Sequence, residues 1–168
     1  PTDYAAYVFA QLNQAGAASG LRHAGYRAIE SCRLEKGYLY WSSDISPDTT
    51  PVEAGLGFAI AWNKGDFTGR AALEKIRAAG PARKLVTLWV PGFAPFLGGE
   101  TVLHEGRAVA SLTSAGYGHH LGRSIGFAYL PREIADQPAF TIEAFGVAYG
   151  ATRGPRCLYD AKMERLRS

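Results

Sequence analysis

Arg33 and Glu35 are the two charged residues whose positions first suggest chemistry. They lie two positions apart at the end of a helical pattern, so on a regular helix their side chains point to different faces. Each residue could tie the helix end to a neighbouring loop, for instance through the turn at Asp44. Alternatively, Arg33 could bind the anionic part of a ligand, and Glu35 could accept hydrogen bonds from a polar heterocycle. Ion pairs of this kind also serve as structural clamps, which favours the first interpretation.

Three carboxylates, Asp44, Asp48 and Glu53, fall within one short segment. Neighbouring carboxylates can act as general acid and base. Acidic side chains in a turn more often bond to nearby backbone amides, and the prolines at 47 and 51 mark this segment as a turn. We therefore predict a capping role for these side chains and assign no catalytic residue in this chain.

The segment Ser114–Gly122, SAGYGHHLG, contains three glycines and two adjacent histidines. Adjacent residues of a strand point to opposite faces, and no second His or Cys pair stands at ligand spacing, so no metal site is predicted. Glycine here permits close approach of the backbone to another domain or to a ligand. Tyr117, His119 and His120 either line a site or belong to a surface loop.

Two amphipathic helices are predicted in the first part of the chain, at residues 2–16 and 26–35. Their apolar side chains repeat every three to four residues, which predicts packing in the core. The residues assigned to these apolar faces are Tyr4, Tyr7, Val8, Leu12, Ala28, Ile29 and Cys32.

Two strands and a third helix are predicted next. Residues 38–41 and 58–62 are rich in aromatic and aliphatic side chains, which suit a pleated surface. Thr68 is the predicted N-cap of the third helix, and Gly80 followed by Pro81 ends it.

The helical period disappears after Pro81, so we predict a domain boundary between residues 80 and 81. Short strands separated by turn residues follow at 85–90, 101–104, 107–112 and 124–130, and alternating patterns continue from Phe140 to Ala151. Glu105 and Gly106 form a two-residue connection suited to a hairpin. The predicted class is α+β, with a small antiparallel barrel or jelly roll as the second domain.

Composition limits the classes of partner. The 168 residues carry a net charge of +3 without a clustered basic face, which disfavours nucleic acid, and no run of eighteen apolar residues could span a membrane. Two cysteines far apart and no secretory leader predict a cytoplasmic location, and a homo-oligomer is compatible with the sequence. The first residue is Pro1, which suggests a piece of a longer chain.

Three ordered motifs, RLEKGYLYWSSD (33–44), TPVEAGLGF (50–58) and NKGDFTGRAAL (63–73), resemble the aminomethyltransferase family, which includes the T-protein of the glycine cleavage system. RLEKG followed by YW is most similar to the C-terminal halves of flavin-dependent sarcosine and dimethylglycine dehydrogenases. The resemblance continues through TSAGYGHHLGRSIGFAYLP (113–131) and the ending LYDAKMERLR (158–167).

The resemblance implies a fold and a cofactor. Residues 1–80 would be the C-terminal portion of the folate-binding domain, and residues 81–168 the C-terminal β-barrel domain. The family binds tetrahydrofolate in a central channel and transfers a one-carbon unit to it from an amine. In the flavin-linked members, a small N-methyl amine is first oxidised by FAD in an upstream domain. No glycine fingerprint for a flavin occurs in this chain.

Arg33, Glu35, Arg83 and Lys84 are the folate-side candidates that the resemblance supplies. The family's catalytic aspartate and pterin-binding glutamate match no residue here, and Ile29 stands where T-proteins carry an arginine. The predicted function is the C-terminal portion of a folate-dependent one-carbon transfer protein, without turnover by itself. The alternatives are a T-protein-like aminomethyltransferase and a stand-alone folate-binding or interaction module.

Overall fold

A computed structural model describes residues 1–167 as a group of helices followed by a β-barrel. The helices are α1 (Ala5–Gly16), α2 (Tyr26–Lys36), α3 (Arg70–Ala79) and the short α4 (Glu164–Arg167). The strands are β1 (Arg83–Pro91), β2 (Thr101–His104), β3 (Arg107–Gly118), β4 (Arg123–Pro131), β5 (Ala139–Ala144) and β6 (Val147–Gly154). None of these helices is both long and apolar enough to cross a membrane.

The six strands close into an antiparallel barrel in the order β1-β4-β3-β2-β5-β6, and pairing of β1 with β6 completes the ring. In β5, every second side chain is buried, which is the periodicity of a strand with one face on a core. The barrel core consists mainly of aliphatic side chains with Phe96 and Phe140. The predicted α+β class, the barrel and the hairpin at Glu105–Gly106 are confirmed.

A β-bulge interrupts the pairing of β3 with β4 between Leu112 and Ser114. The extra residue, Thr113, has no paired residue in the β3–β4 register, although its hydroxyl lies within hydrogen-bond distance of the Phe127 carbonyl at 3.3 Å. A bulge of this kind changes the direction of the side chains beside it. The Thr113 hydroxyl donates a hydrogen bond to Asp44 Oδ1 at 2.6 Å, and Ser114 Oγ accepts one from Arg33 at 2.9 Å. The bulge therefore connects the barrel wall to α2 and to the turn that follows it.

The two strands predicted before the barrel are wrong. Residues 38–41 contribute only one bridge, between Trp41 and Ile45, and Gly57–Ala59 forms a 3₁₀ turn in which Phe58 is 83% exposed. Aromatic composition does not make a strand without a partner strand to accept its hydrogen bonds. Here the backbone forms the local hydrogen bonds of a turn instead, for example from the amide of Ala59 to the carbonyl of Leu56 at 2.9 Å.

The third helix does not begin as predicted. α3 begins at Arg70 with Gly69 in the N-cap position, and no side chain caps it, so the role predicted for Thr68 is wrong. The local backbone explains this start, since the amide of Arg70 donates to the carbonyl of Phe67 and closes a turn ahead of the helix.

The first helix has the predicted length but not the predicted packing. α1 buries no residue, and its apolar side chains are exposed: Tyr7, Val8, Phe9 and Leu12, with Tyr4 just before it. In α2 the buried residues are Ser31, Leu34 and Glu35, whereas Ile29 and Cys32 are exposed. The three-to-four-residue spacing of apolar side chains identified the apolar face of α1 correctly. The spacing alone does not determine whether another element packs on that face.

Candidate functional site

A cleft of about 630 Å³ lies between α2, the loop at 93–97 and the bulged part of β3. This volume is within the range of small-molecule sites, which are typically about 300–1,000 Å³. Aromatic side chains line it from several elements: Tyr26, Tyr40, Phe93, Phe96, Tyr117 and Phe145. Polar groups are contributed by Arg27, Glu30, Arg33 and Ser114.

Glycines in β3 let α2 lie close to the barrel and so form the base of this cleft. A Cβ on Gly116 would lie 3.0 Å from Leu34 Cδ1, and one on Gly118 would lie 2.9 Å from Glu35 Oε1. Ser31 Oγ donates to the carbonyl of Tyr117 at 2.8 Å and accepts from the amide of His119 at 3.1 Å. The close approach predicted for this glycine-rich segment is confirmed, and the element that approaches is α2.

Arg33 lies at the base of the cleft with all five of its N–H groups engaged. Its guanidinium donates to Glu30 Oε2 twice, at 2.7 and 3.1 Å, and to Asp44 Oδ2 at 2.9 Å. The two remaining donors reach Ser114 Oγ at 2.9 Å and the carbonyl of Tyr38 at 3.4 Å. Since guanidinium has five donors and two carboxylates balance its charge, the side chain has no free donor for a ligand.

Asp44 and Glu53 carry out the capping that the turn predicted. Asp44 is 1% exposed, and its Oδ2 accepts the amide of Tyr40 at 2.9 Å in addition to Arg33. Glu53 accepts the amide and hydroxyl of Thr50, both at 3.0 Å. Burial alone would raise the pKa of Glu53, but these bonds and Arg83 hold the pKa below its usual value.

Glu35 is buried, and its side chain organises the loop after β3. It is 4% exposed, and its Oε1 accepts the amides of His120 at 2.8 Å and Leu121 at 3.0 Å. Its backbone carbonyl accepts the amides of Leu158 and Tyr159, which attach the C-terminal segment to α2. The folate contact predicted for Glu35 stays a prediction.

Arg83 and Lys84 lie outside the cleft. Arg83 donates to Glu53 Oε1 at 3.2 Å and stands 4.8 Å from the ring centre of Tyr129. Lys84 donates to Asp136 Oδ2 at 2.8 Å. Of the four predicted folate-side residues, the structure therefore brings only Arg33 to the cleft.

Tyr26 and Arg27 give the cleft its remaining polar character. A hydrogen bond with Tyr40 is the main cause that raises the pKa of Tyr26 to about 12, so this phenol stays neutral near pH 7 and cannot serve as a base there. Arg27 lies one residue further along α2, and among residues 1–167 it has no ion-pair partner. It is the cleft's available cation.

The two histidines lie in the turn after β3, not in a strand, and their side chains have different surroundings. His119 lines the cleft and meets the edge of Tyr117 at 5.0 Å, whereas His120 packs on Tyr159 with ring centres 4.4 Å apart. Within the described part of the chain, no three His, Cys, Asp or Glu side chains are arranged to hold a metal ion.

Sequence reasoning missed three aromatic residues that line the cleft: Phe93 and Phe145, which are exposed at its mouth, and Phe96, which also belongs to the barrel core. The available signal was their context, because Phe93 and Phe96 lie in the turn-rich PGFAPFLGG and Phe145 precedes the glycine of a hairpin. Turns favour Gly, Pro, Asn, Asp and Ser, so a large apolar residue at a turn position is not explained by the turn itself. The two exposed residues, Phe93 and Phe145, are therefore candidates for ligand or partner contact.

Comparison with known proteins accounts for most of the chain. The model of the GCVT N-terminal domain matches residues 1–64, and that of the glycine cleavage T-protein C-terminal barrel domain matches residues 83–160. The chain belongs to the aminomethyltransferase family. Aminomethyltransferase T from Bartonella henselae, a solved structure, has the same fold with a TM-score of 0.84 and 25% identity, over 96% of this chain and 45% of that chain.

Relatives in this family include both dehydrogenases and transferases. Human mitochondrial sarcosine dehydrogenase is 34% identical over 95% of this chain and 18% of its own length. The 4-methylaminobutanoate oxidase (formaldehyde-forming) of Paenarthrobacter nicotinovorans is 39% identical over 98% of this chain and 20% of its own. The aminomethyltransferase of Rippkaea orientalis is 39% identical over 69% of this chain and 32% of its own length. The chain thus spans about a fifth of the length of the dehydrogenase and oxidase relatives that it matches.

Proposed function

We propose that this chain is the part of a folate-dependent one-carbon transfer protein that holds tetrahydrofolate in the cleft between α2 and the barrel. The parent activity would be that of a flavin-dependent dehydrogenase acting on sarcosine, dimethylglycine or a similar N-methyl amine. The observation that carries the proposal is the cleft itself, where aromatic side chains surround a few polar groups. Folate has matching chemistry, with flat rings at one end and carboxylates at the other.

The cleft residues fit such a ligand in a specific way. Tyr26, Phe93 and Phe145 offer ring faces and edges to an aromatic ligand. Arg27 would bind the anionic tail, because Arg33 has no donor left. Arg33 then acts as a positioning residue that fixes α2 against Ser114 and Asp44. Tetrahydrofolate, when bound, supplies the nitrogens that accept the one-carbon unit.

The same contacts argue for binding without turnover by this region. Among the described lining residues, Glu30 is the only carboxylate, and it is engaged by Arg33 at 2.7 Å. A carboxylate held in that ion pair is poorly suited to take a proton from an amine. This observation favours the second candidate function, a folate-binding module that depends on other residues for its chemistry.

Isothermal titration calorimetry with 5-formyltetrahydrofolate tests the proposal. We expect one site per chain, and we expect Arg27→Gln to weaken binding about tenfold, because a hydrogen bond to a charged group contributes about 1.5–3 kcal/mol. Arg22→Gln is the matched control, since Arg22 is also exposed and precedes α2 but does not line the cleft. Absence of binding heat, or equal losses in the two variants, would contradict the proposal.

Location and assembly stay predictions. The names of the mammalian relatives place those proteins in mitochondria, whereas other relatives are bacterial, so the predicted cytoplasmic location is not decided by them. A homo-oligomer and an FAD domain elsewhere are likewise proposals for the parent protein.

A further inference from the structure

Two hairpin turns in the barrel have nearly the same backbone but very different residues. Glu105–Gly106 joins β2 to β3 with φ values of 50° and 76°, and Phe145–Gly146 joins β5 to β6 with 50° and 75°. Positive φ at both central positions is the requirement of a type I′ turn, where Asn-Gly is strongly preferred. A bulky residue with positive φ is an outlier, and Phe145 is therefore a costly choice for this turn.

The Phe145 side chain gives no compensating burial. It is 77% exposed, so the ring contributes little to the barrel core. Yet it lines the cleft, and the exposed side chains of Phe93 and Leu97 line the same mouth. Residues held in sparsely populated backbone regions cluster at ligand sites, where the surrounding structure keeps them in place.

The loop that shares this mouth with Phe145 is firmly anchored. The amide of Ala94 donates to the buried Ser124 Oγ at 2.7 Å. Phe96 packs edge-on against Tyr149 of β6, with ring centres 5.4 Å apart. Phe93 meets the edge of Tyr117 at 5.8 Å. The apolar mouth is therefore built on fixed elements, as a preorganised contact surface requires.

We infer that Phe145 is a specificity-determining residue of the cleft, whose ring covers the aminobenzoyl ring of a bound folate. This inference rests on the proposed function and adds a residue and a ligand group to it. The aminobenzoyl ring is the aromatic part of folate next to its anionic tail, and Arg27, the proposed partner of that tail, lines the same cleft as Phe145. Aromatic side chains pack on flat rings in offset or edge-to-face arrangements.

The test replaces the first central residue of each hairpin turn by asparagine, the residue that a type I′ turn prefers there. Phe145→Asn and Glu105→Asn relieve the same backbone cost, and Glu105 does not line the cleft. We expect both variants to raise the melting temperature by about 2 °C, which corresponds to a small gain for a chain of this size. We expect only Phe145→Asn to weaken binding of 5-formyltetrahydrofolate and of p-aminobenzoylglutamate, by about fivefold.

The outcomes separate this inference from the proposed function. If the wild-type chain binds 5-formyltetrahydrofolate and Phe145→Asn binds it equally well, the role of Phe145 is overturned while the proposed function stands. A lower melting temperature for Phe145→Asn would show that the ring packs structurally, which also overturns the inference. A flat titration with the wild-type chain overturns the proposed function and the inference together.

Discussion

Arg33 connects three parts of the molecule that are far apart in sequence. Its guanidinium joins Glu30 in α2, Asp44 in the following turn and Ser114 beside the bulge of β3. The Asp44 side chain is fully buried and that of Arg33 is 12% exposed, so neither charge can be rescued by water if its partner is removed. Breaking this cluster should therefore affect the stability of the chain and not only its binding.

Arg33→Lys tests this cluster at the residue scale. Lysine keeps the charge but has no fork of donors, so we expect the free energy of unfolding to fall by about 2–3 kcal/mol. Urea denaturation measures it. Glu74→Gln, which breaks the exposed Arg70–Glu74 pair, is the control and should cost less than about 0.5 kcal/mol. Equal losses in the two variants would show that the Arg33 cluster is no more than a surface pair.

Part of this cluster could be predicted from sequence, and part could not. A tie between Arg33 and the turn at Asp44 follows from a basic residue at a helix end and an acidic residue in the next turn. The last donor of Arg33 is occupied by Ser114, which lies eighty-one positions away in the sequence. The bulge in β3 lies directly before Ser114. No local pattern contains that information, so the proposal that Arg27 binds an anion came only from the assembled structure.

At the scale of elements, the end of α2 is held by the segment that follows β6. Gly37 ends α2 with φ of 73°, and its Cα faces the carbonyl of Arg156 so closely that a Cβ would overlap that oxygen. The Arg156 side chain donates to the carbonyls of Gly37 at 3.3 Å and Gly55 at 2.8 Å. Burial is the main cause that lowers the pKa of Arg156 from its ordinary value.

Gly37→Ala tests this contact against a matched position. Gly20 has the same φ of 73°, but a Cβ there would meet nothing within 4 Å. Gly20→Ala should cost about 1 kcal/mol from backbone strain, and Gly37→Ala about 3 kcal/mol or more, because it adds a backbone clash. Thermal unfolding of both variants measures the difference. Similar losses would mean that the C-terminal segment is not packed on α2 in solution.

Strands could be predicted from the sequence where a strand-like pattern also has a neighbouring strand to pair with. In β5 burial alternates and the sequence alternates with it, as in Phe140, Ile142 and Ala144, whereas residues 124–128 of β4 are all buried. Residues 38–41 have strand-like composition but lie where no neighbouring strand can pair with them. Strand formation depends on a partner, and that partner is a property of the whole fold.

At the scale of the whole molecule, the cleft forms where the helical part meets the barrel. α2 packs on β3 and β4, whereas α1 lies apart from the barrel with its apolar face exposed. The boundary at residue 80 stays a prediction, although family models match on either side of it, at 1–64 and 83–160. The cleft uses residues from both sides, so neither part would form the cleft alone.

The most direct test of the central claim is an ¹H–¹⁵N NMR titration of the whole chain with 5-formyltetrahydrofolate. If folate occupies the cleft, the shifted amides should cluster in residues 26–34, 93–97 and 113–117, whereas the Glu105–Gly106 hairpin should not respond. Spectra that stay unchanged would contradict the claim. So would shifts centred on another hollow, such as the one lined by Thr50, Ile76 and Ala79.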